Sequence, residues 1–131
     1  MGFCLLNHAA VAARHAQVTH GVDRVAILDF DVHHGNGTQD IFYARRDVLT
    51  VSLHGHPSFA YPYFSGFSDE AGSGAGAGYN YNIPLPKALS AEQYRRALGR
   101  ALRRIEGFRP DYLVVAAGFD TASGDPTGSW S

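Results

Sequence analysis

The segment that most limits how this chain can fold runs from Arg24 to Asn36, Arg-Val-Ala-Ile-Leu-Asp-Phe-Asp-Val-His-His-Gly-Asn. Val25, Ala26, Ile27 and Leu28 form an unbroken apolar run, the pattern of a strand covered on both faces in a parallel sheet. Polar chemistry follows at once. Asp29, Asp31 and His33 alternate with Phe30 and Val32, so an extended backbone would set the three polar side chains on one face at the strand's carboxyl end, where open α/β sheets keep their ligands. Two carboxylates and an imidazole are costly to bury unless something compensates them, and a cation does so. Asp31 and His33 therefore read as two ligands of a metal ion.

The flanking segments supply a sheet for that strand to join. Asn7 to His20 is alanine-rich and ends on Gly21, the pattern of a closely packed helix with a glycine stop. His8, His15 and His20 on it read as ordinary histidines, and Cys4 just before it as a small buried thiol. Gly35-Asn36-Gly37 is a turn after which Thr38 is expected to cap a short helix reaching Ala44. Asp47 to Leu53 reads as a second strand, completing a βαβ unit and hence a parallel pair. Ser90 with Gln93 makes a capping box. Tyr94, Ala97, Leu98, Ala101, Leu102 and Ile105 then recur at helical spacing as one buried stripe, opposite a solvated face of Arg95, Arg96, Arg100, Arg103 and Arg104. Gly107 and Pro110 end this helix. Asp111 to Ala117 is a third buried strand that delivers Gly118-Phe119-Asp120.

Parallel strands present their carboxyl ends on one side, so Asp120 can converge with Asp31 and His33. Two carboxylates and one imidazole leave one open position on a tetrahedral ion, which marks a catalytic site over a structural one. Zinc is the first choice, and ferrous iron is also compatible with this ligation.

His54 to Gly78 is the longest irregular stretch. Its aromatics, Phe59, Tyr61, Tyr63, Phe64 and Phe67, argue for a functional loop over a disordered one. The alternating glycines from Gly72 to Gly78 do not follow a strand or open a helix, which excludes a phosphate-binding loop. The 131 residues can bury one modest core, and 45% hydrophobic with 18% charged residues is a globular composition. No stretch approaches the roughly 20 apolar residues of a membrane span, and no leader pattern follows Met1. One cysteine fits a reducing, cytoplasmic setting, and a formal net charge of -1 offers nothing to nucleic acid or an anionic membrane.

Four ordered motifs carry a family resemblance. They are Asp29-Phe-Asp-Val-His-His-Gly-Asn-Gly37, Thr50-Val-Ser-Leu-His54, Tyr79-Asn-Tyr-Asn-Ile-Pro84 and Ala117-Gly-Phe-Asp-Thr-Ala-Ser-Gly-Asp-Pro126. The chain resembles the histone deacetylase and acetylpolyamine amidohydrolase family, with Tyr61-Pro-Tyr-Phe-Ser-Gly66 most similar to the bacterial amidohydrolases and class II deacetylases. The resemblance implies the arginase/deacetylase fold, an open parallel sheet flanked by helices, and zinc-dependent removal of acetyl groups from acetylated lysine or polyamines. It makes Asp31, His33 and Asp120 the zinc ligands. It implies structural potassium at the carbonyls of Asp29, Asp31 and His33 with Ser52 and Leu53, and a second monovalent ion at Phe42, Arg45, Val48 and Tyr79.

Asp29 and Asn36 would orient a pair of active-site histidines, and Gly2, Phe3 and Tyr61 would line a narrow acyl tunnel. The related arginases carry additional carboxylates where this chain has Gly35 and Ala122, so one catalytic metal is expected. Residues 1–131 are expected to be the central part of a single catalytic domain truncated at both ends, with the histidine pair upstream and an oxyanion-stabilising tyrosine downstream. On that expectation the chain alone has little activity, and its uncovered edges favour aggregation, a partner or a homo-oligomer. The alternative reading is a non-catalytic metal-binding or interaction module.

Overall fold

The computed structural model describes residues 4–126. Helix α1 (His8–His20) is followed by β1 (Val25–Asp29), α2 (Asn36–Phe42), β2 (Val48–Gly55), β3 (Asn80–Leu85), α3 (Ala91–Phe108) and β4 (Tyr112–Ala116). A single 3-10 turn, Gly74–Gly76, lies between β2 and β3. The strands form one four-stranded sheet in the order β3-β2-β1-β4, and every neighbouring pair is parallel. The open parallel sheet with flanking helices is the architecture expected from the apolar runs. No helix of the described residues is long and apolar enough to cross a membrane.

Side-chain alternation splits the sheet into two chemically different faces. Ala26 and Leu28 of β1, Leu49, Val51 and Leu53 of β2, and Ile83 and Leu85 of β3 point to one face. They pack there against Ala97, Ala101, Ile105 and Phe108 of α3. On the opposite face Val25, Ile27 and Val48 meet Ala10 and Ala13 of α1 and Phe42 of α2. Towards the carboxyl ends that second face turns polar, through Asp29, Thr50, Ser52, His54, Asn80 and Asn82. The apolar face fixes α3, and the polar face builds the site.

The helix ends follow their local chemistry. Asn7 caps α1, its Oδ1 accepting from Ala10 N at 2.9 Å, and Gly21 closes it at φ 65°. The capping box of α3 is formed as the sequence predicts, with Ser90 Oγ accepting from Gln93 N and Ser90 N donating to Gln93 Oε1. Helix α2 departs from expectation. It spans Asn36–Phe42, its N-cap is Gly35 with no side-chain hydrogen bond, and Thr38 Oγ1 accepts from Asn7 Nδ2 at 2.9 Å, tying α2 to α1.

Four further expectations are corrected. Leu102 is 47% exposed and drops out of the α3 stripe, because α3 meets the sheet along Ala97, Ala101, Ile105 and Phe108. Cys4 is exposed, since it precedes α1 and packs into no core. The sequence reading treats residues after Leu53 as loop, but β2 continues through His54 to Gly55, and Asn80–Leu85 is a fourth strand. β4 is not buried: it is the outer strand beside β1, with Tyr112 50% exposed.

Candidate metal centre

β1 stops at Asp29, so the extended run through His33 does not form. Two successive turns of the Asp type replace it. Asp29 Oδ1 accepts from Asp31 N at 3.1 Å, and Asp31 Oδ1 accepts from His33 N at 2.7 Å. The aspartates thus shape their own loop. This bending separates Asp29 from the other two polar groups and turns Asp31 and His33 towards the end of β4.

There they meet Asp120. His33 Nδ1 lies 3.0 Å from Asp31 Oδ1 and 3.1 Å from Asp120 Oδ2. One donor atom from each of Asp31, His33 and Asp120 lies within 4.8 Å of the other two, and all three residues are partly buried. Asp120 Oδ1 also accepts from Val32 N at 2.9 Å, stitching the corner after β4 to the loop after β1. Burial raises the Asp120 carboxyl above the ordinary carboxylate range. A divalent cation between the three groups would reverse that effect. The donor set of two carboxylates and one imidazole nitrogen suits zinc and leaves one position open.

Gly118 is required by this geometry. A Cβ on it would sit 2.2 Å from Asp31 Oδ2. Gly35 does the same service for Asp29, whose Oδ2 would lie 2.6 Å from a Cβ there. Burial raises Asp29 to about 7, against a lowering from the Asp31 backbone hydrogen bond. The centre opens into a groove of about 1070 Å³ lined by Asp29, Asn36, Leu5, Ile41 and Tyr61 along with the three donor residues. The Tyr61 ring stands 6.4 Å from the His33 ring.

This geometry can be set beside known proteins. The model of the histone deacetylase domain matches residues 1–131. The chain belongs to the histone deacetylase family. It is 52% identical over 125 residues to acetylpolyamine amidohydrolase 2 of Pseudomonas aeruginosa, covering 95% of this chain and 36% of that protein. It is 45% identical to histone deacetylase 15 of Arabidopsis thaliana, over 98% of this chain and 23% of that protein. The crystal structure of an acetylpolyamine aminohydrolase from Burkholderia pseudomallei superposes with a TM-score of 0.92 at 49% identity, over 98% of this chain and 37% of that one. The chain thus spans about a third of the length of the acetylpolyamine amidohydrolases it matches.

For this histone deacetylase family chain, the remaining expected positions fall in three places. Asp29 and Ser52 are register partners on β1 and β2 and line a cavity of about 10 Å³, room for one water-sized occupant. Leu53 is fully buried and points to the opposite, apolar face. Phe42 ends α2, Val48 starts β2, and Tyr79 immediately precedes β3, so these three cluster at the amino-terminal edge of the sheet near Arg45, whose N–H donates to Phe42 O. Asn36 is buried at the start of α2. Gly2 and Phe3 lie outside the described residues.

Sequence reasoning missed a buried polar network beneath the centre. Gln39 Nε2 donates to Glu70 Oε2 at 2.8 Å, which orients the amide so that its Oε1 accepts from His34 Nε2, Asn80 Nδ2 and Asn82 Nδ2. With Nε2 donating, His34 Nδ1 accepts from Ser65 Oγ at 2.9 Å. His54 repeats the arrangement, Nε2 donating to Gly66 O and Nδ1 accepting from Ser52 Oγ, both at 2.8 Å. The two rings lie 4.5 Å apart, and burial lowers both imidazoles to about 4, so each is neutral at pH 7.

Glu70 Oε2 also accepts from Gly66 N, and its carbonyl accepts from Asn80 Nδ2, so the network anchors the long loop to the sheet. The one signal for it was the alternation in Tyr79-Asn-Tyr-Asn, which puts Asn80 and Asn82 on one face of a strand. The glycine-rich segment serves the same packing. Gly76 is buried against the backbone of Tyr43 and Arg45, and Ser73 N donates to Tyr43 O at 2.9 Å.

Proposed function

We propose that this chain supplies the metal-binding part of a zinc-dependent deacetylase that hydrolyses N-acetyl amides, with acetylated polyamines favoured over acetylated lysine in protein. The observation that carries the reading is the convergence of Asp31, His33 and Asp120 on one point at the floor of an open groove. Proteins named acetylpolyamine amidohydrolase, at 52%, 53% and 51% identity, support the polyamine preference over the 45% relative named histone deacetylase 15.

Held by Asp31, His33 and Asp120, zinc would polarise the amide carbonyl and acidify a water. The chain's own residues prepare that chemistry. His33 uses Nδ1, the atom that faces both carboxylates. Val32 N holds Asp120 through its second oxygen. Tyr61, ring to ring with His33, forms an apolar wall for the acyl group. Asp29 and Asn36 border the groove, where they can orient the groups that take a proton from water and return it to the leaving amine.

A structural potassium ion beside Asp29 and Ser52 is part of the proposal, supported by the small cavity they share. The second monovalent ion is proposed at the edge formed by Phe42, Arg45, Val48 and Tyr79.

Metal analysis of the purified chain tests the central claim. One zinc per chain is expected, lost in both Asp31→Ala and His33→Ala. Unchanged zinc content in the two variants would remove the site.

A further inference from the structure

The loop that carries Tyr61 is pinned at two points, and a glycine marks each. Ala60 is buried against the end of β2, where a Cβ on Gly55 would lie 2.7 Å from the Ala60 Cβ. Gly66, at φ 103°, lies against the two buried imidazoles, and a Cβ there would sit 2.6 Å from His54 Nε2 and 2.9 Å from His34 Cγ. Between the pins Tyr61, Tyr63 and Phe64 are 41%, 59% and 71% exposed. Tyr63 takes φ 69°, a left-handed backbone that a tyrosine keeps only where its surroundings impose it. An arch of exposed aromatics with a strained residue at its crown takes its position from its ends.

One carboxylate governs the second end. Glu70 Oε2 accepts from Gly66 N at 2.8 Å, from Gln39 Nε2 of α2 at 2.8 Å and from Asn82 Nδ2 of β3 at 3.2 Å. Hydrogen bonds to a carboxylate are roughly twice as strong as neutral ones, so this grip outweighs the single bond from His54 Nε2 to Gly66 O. The bond between Ser65 Oγ and His34 Nδ1 depends on it in turn, because Glu70 orients the Gln39 amide that fixes the His34 tautomer. We infer that Glu70 is a positioning residue for the acyl wall: bonded to α2 and β3, its carboxylate grips the loop at Gly66 and fixes where the Tyr61 ring stands against the metal centre. The inference rests on the zinc and acyl-wall reading above. It adds the group that sets the wall in place.

Two hydroxamates separate wall from metal without any need for hydrolysis. Acetohydroxamate reaches the zinc with one methyl group, and hexanohydroxamate adds methylenes that lie along Tyr61. Calorimetric titration of the zinc-loaded chain is expected to show hexanohydroxamate binding about 10-fold more tightly. Tyr61→Ala should reduce that ratio to about 2. Glu70→Ala should reduce it to about 3 while acetohydroxamate affinity stays as in the parent, and Glu70→Gln, which keeps an acceptor oxygen for Gly66 N, should retain most of the ratio. The double variant Tyr61→Ala/Glu70→Ala should match Tyr61→Ala, because both act through one ring. A merely structural role would weaken both hydroxamates in proportion, and that result overturns the inference, as does a parent-like ratio in Glu70→Ala or a further fall in the double variant. Should Glu70→Ala fail to fold, Glu70→Asp, which keeps the charge but withdraws the oxygen by one methylene, decides by the same ratio. A parent that binds neither hydroxamate brings down the zinc reading and this inference together, and a ratio that Tyr61→Ala leaves unchanged brings down the wall and this inference. A ratio that depends on Tyr61 but not on Glu70 brings down this inference alone.

Discussion

Acidifying the metal-free chain from pH 7 to pH 5 sets two buried groups of opposite sense against each other. His34 and His54 titrate near 4 when folded and near 6.5 when unfolded. Their contribution is therefore complete above pH 6.5 and is lost as pH falls towards 4. Over the two units from pH 7 to 5 the unfolded imidazoles gain about three-quarters of a proton each while the folded ones stay neutral. That costs about 2 kcal/mol per ring, or about 4 kcal/mol for two independent rings. Asp29 acts the other way. Its carboxyl titrates at about 7 when folded against 3.8 unfolded, so its strain is relieved as pH drops and about 2 kcal/mol is recovered over the same interval.

Asp120, also raised, has the same sign as Asp29. The parent chain should therefore lose at most about 2 kcal/mol between pH 7 and 5, a sizeable share of the roughly 5–15 kcal/mol that holds a small domain together. Asp29→Asn removes the opposing group and keeps an oxygen for Asp31 N. Its loss should steepen by about 2 kcal/mol, to at most about 4 kcal/mol. Urea unfolding by circular dichroism at pH 7, 6 and 5, with chelator present, measures both slopes. Parallel slopes for the two proteins would refute the assignment of a proton to Asp29, and an Asp29→Asn chain no less stable at pH 5 would refute the neutral histidine pair.

Two other perturbations separate site from scaffold. Gly118→Ala drives a methyl group into Asp31 Oδ2 at 2.2 Å, so zinc affinity should fall by at least about 10-fold in competition with a chromogenic chelator, and an unaltered affinity would show that Asp31 is not a ligand. Leu53→Ala empties a fully buried position in the cluster under α3 and should cost about 2–5 kcal/mol in the same urea assay.

What could be read from the chain alone was whatever depends on near neighbours in sequence. The apolar run Val25–Leu28, the capping box at Ser90 and Gln93, and the stop at Gly21 are set by side-chain period and local hydrogen bonding. Each element appears in the structure, with ends shifted by a residue or two. The parallel arrangement followed from crossover length, and it was enough to bring Asp120 to the same end of the sheet as Asp31 and His33 across nearly ninety residues.

Tertiary structure decided the rest, because it depends on which faces meet. The strand Asn80–Leu85 has no long apolar run. It is a strand because β2 offers an unpaired edge and because Asn80 and Asn82 find Gln39 and Glu70, 41 and 12 residues away, to satisfy their amides. His34 and His54 carry no local mark distinguishing them from surface histidines. Only packing against Ser52, Ser65 and Gly66 makes them buried and neutral. Asp29 and Asp31 are likewise equivalent in sequence. A bend after β1 sends one beneath Gly35 and the other towards Asp120, since a backbone that folds back so that each carboxylate accepts from the amide two residues on can no longer follow the strand.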